Sequence, residues 1–355
     1  MEKERYVELD IAKGMGILLV ITGHIQYISE AFRNFIVAFH IPLFFIISGM
    51  LICIQGEDKK SLAKTVMKKG RSILQPYFIF SLIFLISQYV AFLAGGSISL
   101  ALVKQNLYLT VIFSGMSVLW FLAALFVGEM AFLVIVKSCK KILVPIVLTL
   151  WMIISCIANR YLQLWRITCA DHPYTEYLFY FLQMLIRIGV ITFFVGTGFY
   201  LWKYRKEKLT TWAAGILGIL FLGATVLISR ANGGVDLHYL IFQHEAFYFA
   251  GAVLGSLGIL ALSFSLKGLA GSFPFRILQF YGKNSLIVMM THVDTYLMYA
   301  STILVMHFNK DIVEYQGNIR FCLELFILVS LAESIVVLII NRFFPWMVGK
   351  KREEK

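Results

Sequence analysis

Lys13 and His24 stand eleven residues apart in an apolar stretch that reads LDIAKGMGILLVITGHI from Leu9 to Ile25. In a helix that spacing is about three turns, or roughly 16 Å along the axis, and it returns the two side chains to nearly the same face. Asp10 precedes Lys13 by one turn. Ionisable groups in a membrane-spanning stretch are costly and tend to mark function. An imidazole there can take a proton from an attacking hydroxyl near neutral pH, or it can act as a nucleophile itself; spacing does not separate the two. The next stretch, FIVAFHIPLFFIISGMLICI from Phe35 to Ile54, adds His40 two residues before Pro42. Proline frees a backbone carbonyl, so His40 is either a histidine satisfied by its neighbours in a kinked helix or a group that binds an acceptor or orients His24.

Further along, KKSLAKTVMKKGR ends in Lys68, Lys69 and Arg71. Lys68 and Arg71 share a helical face and suit phosphate oxygens, although a polybasic helix also lies well on anionic headgroups. Trp120 opens a later apolar stretch and reads equally as an interface aromatic. Glu129 inside that stretch needs protonation, water or a basic partner, for which Arg187 and Lys13 are candidates. Charged and aromatic residues between Ala158 and Glu176, including Arg166, Asp171 and His172, look like an ordinary interfacial loop. His244, Glu245, Thr291, His292, Asp294, Glu324 and Glu333 place further polar groups in later helices.

The elements that must position these groups are membrane helices. Hydrophobic residues make up 59% of the chain and charged ones only 15%, so soluble-domain arithmetic does not apply. The pattern predicts an all-α, polytopic transmembrane bundle of about ten helices over 11–28, 35–54, 75–94, 118–136, 142–158, 177–202, 211–229, 238–265, 284–306 and 321–341. Segment 98–114 reads as interfacial or re-entrant. With the N-terminus inside, 24 of the 32 Lys and Arg fall in inner segments, which predicts that both termini are cytoplasmic. The net charge of +12 is thus a topology signal, and no nucleic-acid partner is expected. No cleavage site follows the first stretch, so it is expected to stay as a span. The five cysteines are scattered without CxxC spacing, which suggests neither disulfides nor a zinc site.

Asp10, Lys13, Gly14, Gly23 and His24, followed by Phe39, His40, Pro42–Phe45, Ser48 and Gly49, resemble the opening of the acyltransferase 3 family of integral membrane proteins. The similarity is greatest to its fucose 4-O-acetylase-like branch. Most of the family has arginine where Lys13 stands; lysine keeps the charge but not the guanidinium fork. Lys68 and Arg71 before Pro76 and Tyr77 resemble a pair of basic residues in the family. Trp120–Leu122 resembles a later signature, and His292 a late histidine. The resemblance implies one transmembrane domain over 1–345 with a basic cytoplasmic tail at 346–355, in a bacterial plasma membrane.

It also implies O-acyl transfer, as O-acetyl transfer, from cytoplasmic acyl-CoA such as acetyl-CoA to a hydroxyl of a cell-surface or lipid-linked glycan, with no bound cofactor or metal. His24, Lys13 and Asp10 would then be catalytic, and Lys68 and Arg71 would hold the acyl-CoA phosphates. His40, Trp120, Glu129 and His292 would line the acceptor site or cavity. A proton-coupled transporter or lipid-linked sugar carrier is the competing expectation, since it too needs a polar interior. Against it, the two halves of the chain show no duplicated helix pattern.

Overall fold

In the computed structural model, described over residues 6–169, 174–205, 210–293 and 296–350, the regular structure is helical apart from one β-bridge between Asp236 and Ile241. In chain order the helices are α1 (Val7–His24), α2 (Glu30–Ile54), α3 (Leu62–Lys69), α4 (Gln75–Leu93), α5 (Leu100–Val111), α6 (Trp120–Ser138), α7 (Val144–Thr168), α8 (Thr175–Lys203), α9 (Thr211–Asn232), α10 (Glu245–Ser265), α11 (Phe273–Lys283), α12 (Ser285–Thr291), α13 (Leu297–Phe308) and α14 (Ile319–Phe343). Helices satisfy every backbone group within the segment, which hydrocarbon demands. Among the described residues eight helical segments are long and apolar enough to cross a membrane, and the chain is a polytopic helical membrane bundle. Two expected spans differ in kind. Helix α1 carries Glu8, Asp10 and Lys13 in its first two turns. The expected 284–306 helix is interrupted between α12 and α13, where Tyr296 adopts a left-handed conformation at φ 60°.

The chain forms two compact units, one of Met1–Ile47, Arg205–Leu237 and Ile241–Arg342, the other of Ser48–Tyr204, His238–Leu240 and Phe343–Lys355. In the first unit α1 packs against α10, α11 and α12, and α9 against α10. The contact of α1 with α11 is backbone to backbone. A Cβ on Gly14 would stand 2.0 Å from the Leu278 carbonyl oxygen, and one on Gly282 would stand 1.9 Å from that of Asp10. Helix α11 falls where the hydropathy pattern leaves a connecting segment. Its amphipathic sequence FPFRILQFYGK hides it from a search for apolar spans, although Ser272 followed by a first-turn proline is a helix-start signal.

In the second unit α6 packs on α8 and α7 on α8. Gly49 near the end of α2 lies against the Val195 carbonyl of α8, where a Cβ would stand 1.8 Å away. Helix α3 continues into α4 through a π turn at Gly70–Leu74. Pro76 sits in the first turn of α4 and has no N–H to donate, which favours a widened turn here. Segment 98–114 resolves into α5, a helix of 12 residues whose Ser99 side chain accepts from the Leu102 N–H at 3.2 Å. Helices α4 and α7 leave Leu82, Ile86, Val90, Ile146, Leu150 and Ile154 exposed, as lipid-facing surfaces require.

A buried ion cluster joins α2, α3 and α6 in this unit. The Lys69 ammonium lies 3.0 Å from Glu129 and 3.3 Å from Glu57, and all three residues are buried. The Ser48 hydroxyl donates to the same Glu129 oxygen that Lys69 contacts. Burial pushes the Glu57 carboxyl up, but Lys69 and Lys68 together outweigh it and hold it below the usual carboxylate range. Glu129 is therefore paired with Lys69; the expected partners Arg187 and Lys13 are engaged elsewhere. The basic run hides this pairing, because Lys69 looks no different from its neighbours there.

Lys69→Met should leave two buried carboxylates short of a cation and cost about 3–5 kcal/mol, read as a lowered thermal midpoint in detergent; an unchanged midpoint would contradict the pairing. Gly14→Ala and Gly282→Ala should each cost about 1–3 kcal/mol by overpacking. Gly223→Ala, which meets nothing within 4 Å, serves as the control and should be neutral or stabilising.

Candidate functional site

The first unit brings three histidines together. His24 ends α1, and His292 follows the last residue of α12. Their rings meet edge to face with centroids 4.8 Å apart and an interplanar angle of 65°. His40 and His292 are buried, and each of the three imidazoles lies within electrostatic range of another. His24 is densely surrounded by protein, yet its side chain stays open to the exterior.

Backbone bonds define the two buried rings. His40 Nδ1 lies 2.9 Å from the Ile36 carbonyl oxygen and His292 Nδ1 2.8 Å from that of Val288. A carbonyl only accepts, so in each ring Nδ1 carries the hydrogen and the Nε2 of the neutral form carries the lone pair. His292 Nε2 is buried and has no hydrogen-bond partner among the described residues. Beside His292 the Thr291 hydroxyl donates to Glu333 of α14 at 2.6 Å. Asp294, also expected here, lies outside the described residues.

Sequence reasoning missed Arg33, which counts only as a loop charge in the topology pattern. Its Nη2 donates to the Ile25 carbonyl at 3.0 Å and to the Gln26 carbonyl at 2.6 Å, so a cation caps the chain where α1 ends. It lies close enough to His24 to act on it electrostatically. The same turn is held from the far side of the sequence, where the Gly317 N–H donates to the Tyr27 carbonyl at 2.7 Å and Gln316 Nε2 to that of Ile28 at 2.9 Å.

Asp10 and Lys13 form an ion pair at 2.9 Å. They sit near the opposite end of α1 from His24, separated by the three turns that the spacing predicts. They do not join the histidine cluster.

The remaining candidates belong to the second unit. The Lys68 ammonium contacts Glu57 and Gln55 and stays partly exposed. Arg71, in the π turn, is exposed and has no ion pair or side-chain hydrogen bond among the described residues. The C-terminal turn Pro345–Val348 packs on this junction. Gln75 Nε2 donates to the Trp346 carbonyl at 2.6 Å, and Gly349, at φ 69°, lies against the Arg71 backbone.

Trp120 is interior, and the reading of an interface aromatic is corrected. Its ring is buried and stacks on His238 at 5.0 Å and 6°, with the Arg187 guanidinium 5.2 Å from its centroid. Arg187 Nη1 donates to the Ser114 carbonyl at 3.1 Å. The Tyr239 and Leu240 carbonyls accept from Gln183 and Asn159 at 2.9 and 2.8 Å. Burial, and then the Arg187 charge, hold His238 well below the usual imidazole range.

Two further helix boundaries need correction. The helix expected from 238 begins at Glu245, because Gly233 and Gly234 end α9 and a bridged turn follows. His244 is thus its N-cap rather than an interior residue. The helix expected to end at 158 continues to Thr168, and Arg166 pairs with Glu176 through two bonds of 2.8 Å; Asp171 and His172 lie outside the described residues. Glu324 pairs with Arg320 at 3.0 Å.

The family described as an acyltransferase domain, Acyl_transf_3, matches residues 6–341. No curated protein and no solved structure gives a significant match. That match spans nearly the whole chain, α1 to α14 and the histidine cluster included, and the chain belongs to the acyltransferase 3 family of membrane acyltransferases.

Proposed function

We propose that this protein transfers an acyl group, as an O-acetyl group, from cytoplasmic acyl-CoA to a hydroxyl of a cell-surface or lipid-linked glycan across a bacterial plasma membrane. The observation that carries this reading is the accessible His24 imidazole at the end of an apolar helix, in edge contact with buried His292. The family match favours it over the transporter. About ten helices with both termini in the cytoplasm would put the basic α3–α4 junction on the donor side.

The chemistry balances with one proton in transit. His24 takes the proton of the acceptor hydroxyl as its oxygen attacks the thioester carbonyl carbon. The carbon–sulfur bond breaks, the new ester forms, and His24 returns the proton to the departing thiolate. The open guanidinium of Arg71 and the partly exposed ammonium of Lys68 would hold donor phosphates. The Asp10–Lys13 pair would mark the inner entrance. His40 would shape the surroundings of the acceptor. Glu129, held by Lys69 and Ser48, and Trp120, held by Arg187 and His238, would act as fixed walls of their unit rather than as reacting groups.

Membranes carrying the wild-type protein should transfer label from acetyl-CoA to a glycan fraction, and His24→Ala should lower that rate by about 10²–10⁴-fold without loss of insertion. Unchanged transfer in that variant would refute the role of His24. Arg71→Ala should raise KM for acyl-CoA by about 10-fold or more, the worth of a charge-assisted hydrogen bond, and change kcat little. An equal KM would remove Arg71 from donor binding.

A further inference from the structure

A histidine can serve as a base only while the correct ring nitrogen carries the lone pair. His24 makes no hydrogen bond among the described residues that would decide which nitrogen that is. Its ring neighbour does have a decided state. The Nδ1–H of His292 is committed to the Val288 carbonyl at 2.8 Å, so the free lone pair of its neutral ring is on Nε2. That atom is buried and without a hydrogen-bond partner among the described residues. An unmade bond at a buried acceptor is unfavourable by about 1–3 kcal/mol. The ring neighbour of His292 is His24, at 4.8 Å between centroids and 65° between planes. The terminal torsion of a histidine side chain is broad, which leaves the His24 ring free to turn one of its N–H groups toward this lone pair.

We propose that His292 is the positioning residue of His24. Its Nε2 accepts a ring N–H of His24, which fixes the His24 tautomer and leaves the other ring nitrogen as the base. Here a neutral imidazole whose own tautomer is fixed by a backbone carbonyl does what an acidic side chain does in other orienting pairs. When His24 takes the acceptor proton, the same bond stabilises the imidazolium. When His24 gives that proton to the thiolate, the bond returns the ring to its starting tautomer. Thr291, bonded to Glu333 at 2.6 Å, ties the end of α12 to α14 and holds His292 in place.

This inference rests on the proposed acyl transfer, and a substitution series separates the two. His292→Gln places a carbonyl oxygen near the position of Nε2, His292→Asn places its amide near Nδ1 only, and His292→Leu removes both. With acetyl-CoA as donor, Leu and Asn should lower kcat by about 100-fold or more while Gln recovers about 10-fold or more of that loss. KM for acetyl-CoA should stay within about 2-fold in all three, since uniform binding is untouched. Wild-type kcat in His292→Leu, with His24→Ala inactive, would overturn the positioning role and leave the acyl-transfer reading standing. Equal losses in Gln, Asn and Leu would also overturn it, in favour of packing alone. Wild-type transfer by His24→Ala would overturn both.

Discussion

An ionisable side chain in hydrocarbon must find its partner inside the protein, and much of this structure follows from that requirement. Lys69 meets it with Glu57 and Glu129, Asp10 with Lys13, and Glu333 with the Thr291 hydroxyl. His40 and His292 use carbonyls one turn back along their own helices. The Lys69 and Glu333 pairings also tie together segments that hydrophobic burial alone would leave free to slide. In lipid that matters, because apolar helix faces gain little by leaving the tails for one another.

Within the first unit the placement of the imidazole pair traces back to a close backbone contact. Gly14 and Gly282 let α1 and α11 touch at a distance that any side chain would prevent. From there the chain runs ten residues from Gly14 to His24 and ten from Gly282 to His292, about 15 Å each if helical. Helix α12 also packs on α1, so two nearly equal lengths lead from the glycines to the rings. Arg33 and the 315–317 turn then fix the end of α1. The one exposed ring of the cluster is thereby held on a braced helix terminus.

The basic run before α4 shows how adjacent residues of one type acquire different roles. Lys69 turns inward and is consumed by two carboxylates, while Lys68 shares Glu57 from the outside. The π turn after Lys69 breaks the regular phase of the helix, and Arg71 within it points outward with its charge available. The buried lysine anchors the segment and the arginine displays charge from it.

How much of this was legible in the chain depends on the physical range of each signal. Apolar length and charge placed most spans to within a few residues, because hydrocarbon imposes helices. The eleven-residue interval singled out Lys13 and His24, because a helical period fixes which residues share a face. That period also explains why the sequence separated them, since a shared face is not a shared site and three turns hold them apart. Helix α11 escaped because its amphipathic stretch is too short and too charged to read as a span. Which face of one helix meets which face of another is set by packing between residues distant in sequence. The meeting of His24 with His292, the capture of Lys69 by Glu129, and the stack of Trp120 on His238 were therefore decided only by the tertiary structure.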